Sequence, residues 1–171
     1  MKAIFLDMDG VLNSDEYFDS IEGQKIDGIE NEVDIEKVKL LKQAVDETGA
    51  SVVITSSIRY KRLGSLLQEL LNSYNMQTDL TPFLDNERGL EIRKWLEEHP
   101  ETTDFVILDD EIFDSYDEEL LSKLIKISNG NGISLGEGLL QKDVDEIIKR
   151  LGRRKKLELE DEERWNKKIR T

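Results

Sequence analysis

The chain has 171 residues, enough for one domain with a real core, and 38 acidic against 24 basic residues give a formal net charge of −14. That charge repels nucleic acid and anionic membranes over most of a surface and attracts divalent cations. The absence of cysteine excludes disulfides, thiolate chemistry and cysteine-ligated zinc, and with no run near the roughly 20 apolar residues of a membrane span and no signal peptide before Asp7, a soluble cytoplasmic protein is expected.

Taken in order, the pattern alternates strand with helix. Ala3 to Leu6 reads as a short buried strand, and Ser14 to Glu32 as an acidic, irregular loop. Ile35, Val38, Leu41 and Val45 recur at helical spacing between a cap at Asp34 and a stop at Gly49. The second strand is "SVVITSS", followed by a helix marked by Leu63, Leu66, Leu67, Leu70 and Leu71 and by a weak strand within Met76 to Phe83. A helix from about Arg88 carries Ile92, Trp95 and Leu96 inward before Pro100, and "DFVILDDE" is the third clear strand. Glu118 to Ser122 is a short helix, "KLIKIS" a last strand, and Asn129 to Gly138 a turn-rich connection without the GxxxxGK pattern of a P-loop. Val144, Ile147, Ile148 and Leu151 mark the final core helix, stopped at Gly152.

This order predicts two parts, residues 1–152 as the α/β domain and 153–171 as a charged helical tail. In the tail, Glu160 and Arg164, and Glu163 and Lys167, stand four apart as helix-stabilising pairs. Trp165 is placed either for self-association or to rest on its own domain. Lys149, Arg150, Arg153, Arg154, Lys155 and Lys156 form one basic cluster, which reads as a solvated helix end or a nucleic-acid footprint. His99, the only histidine, reads as exposed and non-catalytic. Strands separated by helices predict a doubly wound, mostly parallel sheet of Rossmann-like type with helices on both faces. Its ligand site lies outside the carboxyl ends of the strands.

At those ends stand Asp7 and Asp9, then Thr55, Ser56 and Ser57, then Asp109 and Asp110. Four converging carboxylates repel one another unless a cation neutralises them. Magnesium suits an oxygen-only ligand set without His or Cys. A carboxylate beside that ion can attack phosphorus, a second can protonate the leaving oxygen and later activate water, and hydroxyl groups can hold the phosphoryl oxygens.

These residues resemble the haloacid dehalogenase (HAD) superfamily of aspartate-nucleophile phosphatases. "DMDGVLN" is similar to its first motif, which implies Asp7 as nucleophile and Asp9 as acid/base, with Gly10 close to the substrate. "VVITSS" is similar to the second, which implies phosphate binding by Ser56 or its neighbour Thr55, with Ser57 adjoining. "LDDE" is similar to the fourth, which implies Asp109 and Asp110 as magnesium carboxylates alongside Asp7 and Asp9. The third motif's cation falls on Arg88, with Lys94 the alternative, and Arg59 is a further candidate for substrate contact. "TSSIR", "RGLEIRKWL" and "FVILDDE" resemble more narrowly the HAD domain of Swiss Army Knife RNA repair proteins. The resemblance covers about residues 2 to 151.

Neither gap between motifs has room for a full cap domain. In such a family an open site implies a large phosphorylated substrate, such as a nucleic-acid end or a phosphoprotein. A receiver-like signalling module would place its phospho-accepting Asp after a middle strand, where this chain has "TSS". A non-catalytic phosphate- or metal-binding module is the other alternative.

Overall fold

Alternation of apolar residues along short strands sets the layers. The structure, a computed structural model, describes residues 1–128 and 134–170, with residues 156–159 described by backbone alone. Strands β1 (Lys2–Leu6), β2 (Ser51–Ile54), β3 (Thr78–Leu80), β4 (Asp104–Asp109) and β5 (Leu124–Lys126) form one all-parallel sheet in the order β3-β2-β1-β4-β5. Ile4, Leu6, Val52, Ile54, Val106 and Leu108 face one side. There they meet α2 (Ile35–Thr48), α3 (Arg62–Ser73) and α6 (Gln141–Leu151) through Val38, Leu41, Leu67, Leu71, Val144 and Ile147. Ala3, Phe5, Val53, Phe105 and Ile107 face the other, against Ile92 and Trp95 of α4 (Arg88–Glu98) and Leu120 of α5 (Glu118–Lys123). Phe5 meets the edges of Trp95 and Phe105 with ring centroids 5.3 and 5.6 Å away, geometry that suits the aromatic quadrupole. The fold is therefore the expected doubly wound α/β sheet, without a full cap domain among the described residues.

The acidic stretch after β1 differs from the expected irregular loop. Ser14 caps a helix, α1 (Asp15–Ile21), by accepting from Tyr17 N, and a single 3-10 turn follows at Ile29–Asn31. None of α1's residues is fully buried, so apolar periodicity did not reveal it; the Ser cap and two acids in the first turn are its sequence signal. The connection expected from Asn129 to Gly138 lies partly, over 129–133, outside the described residues, as does the side chain of Lys156 from the basic cluster. The tail forms α7 (Lys156–Ile169). Arg154 N donates to Glu47 O at 2.8 Å and its guanidinium pairs with Glu162 of α7. Trp165 is exposed. No helix among the described residues is long and apolar enough to cross a membrane.

Strand order and register position the site. The chain moves from β1 to β2 and β3 on one side, then returns past β1 to β4 on the other. The switch point therefore falls between β1 and β4, where the carboxyl ends open a crevice. Leu6 pairs with Ile54 and with Leu108. The next residues in register are Thr55, Asp7 and Asp109, tied by Thr55 N to Leu6 O at 2.8 Å and Asp7 N to Leu108 O at 3.0 Å.

One buried ion pair braces the loops beyond β2 and β3. Arg59 donates from Nη1 to the carbonyls of Thr55 and Ser56, from Nε to Thr81 O and from Nη2 to Pro82 O, and lies 2.9 Å from Glu91 of α4. Both side chains are almost wholly buried. Arg59 was a candidate for substrate contact; instead its guanidinium is occupied by the protein's own carbonyls and by Glu91, which leaves it no free face. Removal of one partner strands the other charge in the interior, so Glu91→Ala is expected to lower unfolding free energy by about 3–5 kcal/mol. Urea unfolding checks this at constant m-value, and a loss below about 1 kcal/mol would show that the pair does not brace the fold.

Candidate active site

Asp7, Thr55 and Asp109 are in register and follow Phe5, Val53 and Ile107 by two residues, so their side chains point to the α4 face of the sheet. Arg88, the first residue of α4, sits there. Its Nη1 lies 2.7 Å from Asp109 Oδ2, 3.4 Å from Asp7 Oδ1 and 3.2 Å from Thr55 Oγ1. Phe113 covers the guanidinium, its ring centroid 4.7 Å from Cζ. The second residue of α4, Gly89, presses on the chain after β4. Its N–H meets Ser115 Oγ at 2.9 Å, and a Cβ there would lie 2.0 Å from Ser115 O. Close helix approach therefore sets Arg88's position. Lys94 points elsewhere, pairing with Glu97 and Glu98.

Oxygen atoms of Asp7, Asp109 and Asp110 all lie within 4.8 Å of one another. The cluster holds three of the four expected carboxylates. Asp9 stands outside it because its Oδ1 accepts from Asn13 Nδ2 at 3.0 Å, while Asn13 is itself anchored on Glu32 O and Gly10 N. Asp9 nevertheless lines the same cavity of about 210 Å3, with Asp7, Ser56, Ser57, Arg88 and Asp110. Gly10 departs from its expected place beside substrate, since its N–H is bonded to Asn13 Oδ1 at 2.8 Å. It serves Asp110 instead: φ is +74°, and a Cβ would lie 2.3 Å from Asp110 Oδ2. Of the hydroxyls, Thr55 bonds to Arg88, whereas Ser56 and Ser57 face the cavity.

The opposite wall carries no sequence signal. Asp15 of α1 accepts from Ser134 Oγ, from Leu135 N at 3.1 Å and from Gly136 N at 3.3 Å, and Ser134 and Leu135 line the cavity. The Ser134 hydroxyl, then the Leu135 amide, hold the Asp15 carboxyl below its ordinary value. His99 is half-buried, stacked on Trp95 at 3.8 Å, with Nδ1 2.7 Å from Trp95 O.

Electrostatics mark the cluster as short of positive charge. Burial, then the Asp7 charge, pushes Asp109 up to about 8 against the pull of Arg88. Burial, then Asp7, pushes Asp110 up to about 6. Asp7 is also raised, by burial above all, with Arg88 opposing. Three carboxylates and one guanidinium leave a formal charge of −2 when all are ionised. Hard oxygen donors in a half-enclosed site with that deficit fit one divalent cation such as magnesium.

Two outcomes follow. The raised carboxylates hold protons that the unfolded chain releases, so the metal-free protein is expected to lose stability as pH rises from about 4 to about 8. Magnesium should offset the loss, with a thermal shift larger at pH 8 than at pH 6; equal shifts would contradict this reading. Gly10→Ala should cost about 1 kcal/mol from its left-handed backbone and displace the Asp110 carboxylate, shrinking the magnesium shift. An unchanged shift would show that Asp110 tolerates the methyl group without consequence.

A family model described as the HAD domain in Swiss Army Knife RNA repair proteins matches residues 3–137, a span containing every residue named in the cavity. Comparison with curated proteins and with solved structures gave no match. The chain belongs to this HAD domain family, within the haloacid dehalogenase superfamily, and is a hydrolase of that type.

Proposed function

We propose that the protein is a magnesium-dependent phosphohydrolase that works through an aspartyl-phosphate at Asp7 and acts on the phosphate of a nucleic-acid end. The observation that carries this reading is the Asp7–Asp109–Asp110 cluster opening on a cavity lined by Ser56 and Arg88. The family's description, with its reference to RNA repair, supports the substrate class.

Asp7, Asp109 and Asp110 would hold the cation, which when bound supplies positive charge that draws the substrate phosphate against the carboxylates. An Asp7 oxygen forms a bond to phosphorus while the bond from phosphorus to the leaving oxygen breaks. Protonated Asp9 gives its proton to that oxygen. Water then attacks the same phosphorus, its proton passes to Asp9, and the bond to Asp7 breaks to release inorganic phosphate. Ser56 donates to a phosphoryl oxygen from the cavity wall, and Arg88 keeps Asp7 ionised and oriented. The asparagine that ties Asp9 to the chain orients the acid before the proton moves.

Phosphate release from an aryl phosphate tests the chemistry. Release should require magnesium, stop in EDTA and fall at least a thousandfold in Asp7→Asn, while Arg88→Lys should retain only a small fraction because one ammonium cannot reproduce the guanidinium's contacts. Undiminished turnover in Asp7→Asn would remove Asp7 as nucleophile.

A further inference from the structure

Beside the cavity, large apolar side chains are left uncovered. Tyr60, Phe83, Leu84 and Leu90 are 58%, 56%, 40% and 53% exposed. All belong to segments joined through the Arg59–Glu91 pair. Arg59 reaches the Thr81 and Pro82 carbonyls, Tyr60 Oη donates to Thr81 O at 2.7 Å, and Leu84 N donates to Glu91 Oε1 at 2.9 Å. The Arg59 Cζ lies 5.2 Å from the Tyr60 ring centroid while its Nη1 donates to Ser56 O at 3.1 Å. One guanidinium thus spans the distance from the Tyr60 ring to the Ser56 wall of the cavity.

The next two residues, Lys61 and Arg62, are both exposed and form no ion pair among the described residues. In a chain of net charge −14, adjacent unpaired cations at the mouth of an acidic phosphate pocket favour an anionic ligand there and repel it elsewhere. Exposed rings accept any base by its π-face, and neighbouring cations neutralise the backbone. Bases in a duplex already stack on one another and cannot use such rings.

We propose that Tyr60 and Phe83, flanked by Lys61 and Arg62, form a stacking platform for the bases of a single-stranded nucleic acid whose terminal phosphate enters the Asp7 cavity. This rests on the phosphohydrolase reading and adds to it a preference for an unpaired strand end. The buried Arg59 fixes the platform to the pocket, so the distance from stacked base to bound phosphate is set by the fold. Tyr60 contributes its ring and not its hydroxyl, because Thr81 O keeps a bond from Arg59 Nε when the hydroxyl is removed.

Fluorescence anisotropy of terminally phosphorylated oligonucleotides, single-stranded and as a blunt duplex, with the full chain carrying Asp7→Asn in magnesium, tests the platform. Single strands should bind at least tenfold more tightly than the duplex. Tyr60→Ala and Phe83→Ala should each weaken that binding about tenfold, and Tyr60→Phe should retain it. Lys61→Ala with Arg62→Ala should flatten the salt dependence by about one unit of slope. Absence of binding, equal binding of duplex, or indifference to both ring deletions overturns the proposal. So does a self-association that Phe83→Glu dissolves without a change in oligonucleotide affinity. Aryl phosphate turnover by the unaltered chain judges the phosphohydrolase reading separately, since that reading stands or falls whichever way the oligonucleotides bind.

Discussion

Mutual repulsion among Asp7, Asp109 and Asp110 is the constraint around which the molecule is arranged. A parallel sheet with its switch point between β1 and β4 brings two strand ends side by side, and each ends in an acid. Left alone, such a cluster opposes folding. Arg88 relieves part of the repulsion from the first turn of α4, held there by the tight contact of Gly89 with Ser115. The remaining deficit matches one hard divalent ion, and the same deficit draws a phosphate to the site once that ion is present. Stability has been exchanged locally for a charge imbalance that a ligand corrects.

Arg59 and Arg88 show how burial and partners decide what an arginine does. Arg88 meets two cavity carboxylates and a hydroxyl with its edge toward the site. Arg59, a short distance along the chain from Ser56, has its donors on four backbone carbonyls and on Glu91, and so braces three segments instead of touching substrate. That bracing makes the exposed rings of Tyr60 and Phe83 part of a rigid mouth. The chemistry and the proposed recognition thus share one support.

Most of the sheet and the chain order of the site were legible in the sequence, because strand ends in a parallel sheet must meet and because acids after apolar runs have few packing roles. Register carried the rest: Leu6 against Ile54 and Leu108 makes Thr55, Asp7 and Asp109 neighbours. Other features had no local signature. Glu91 stands between Leu90 and Ile92 on a helix whose periodicity gives no reason to bury it, and its partner lies on another loop. Asp15 closes the cavity by reaching Ser134, Leu135 and Gly136 far along the chain. The Asn13 clasp that removes Asp9 from the carboxylate cluster and occupies the Gly10 amide depends on a turn whose geometry spacing alone does not define.

The central claim is that three carboxylates and one guanidinium make a site for a single divalent ion. Manganese, which shares magnesium's preference for carboxylate oxygen and is visible by electron paramagnetic resonance, reports it directly. Titration of the full chain should saturate at one bound ion, with affinity weakened at least tenfold in Asp110→Asn. Failure to bind, or binding that Asp110→Asn leaves unchanged, would contradict the account and place the raised carboxylates outside any metal site.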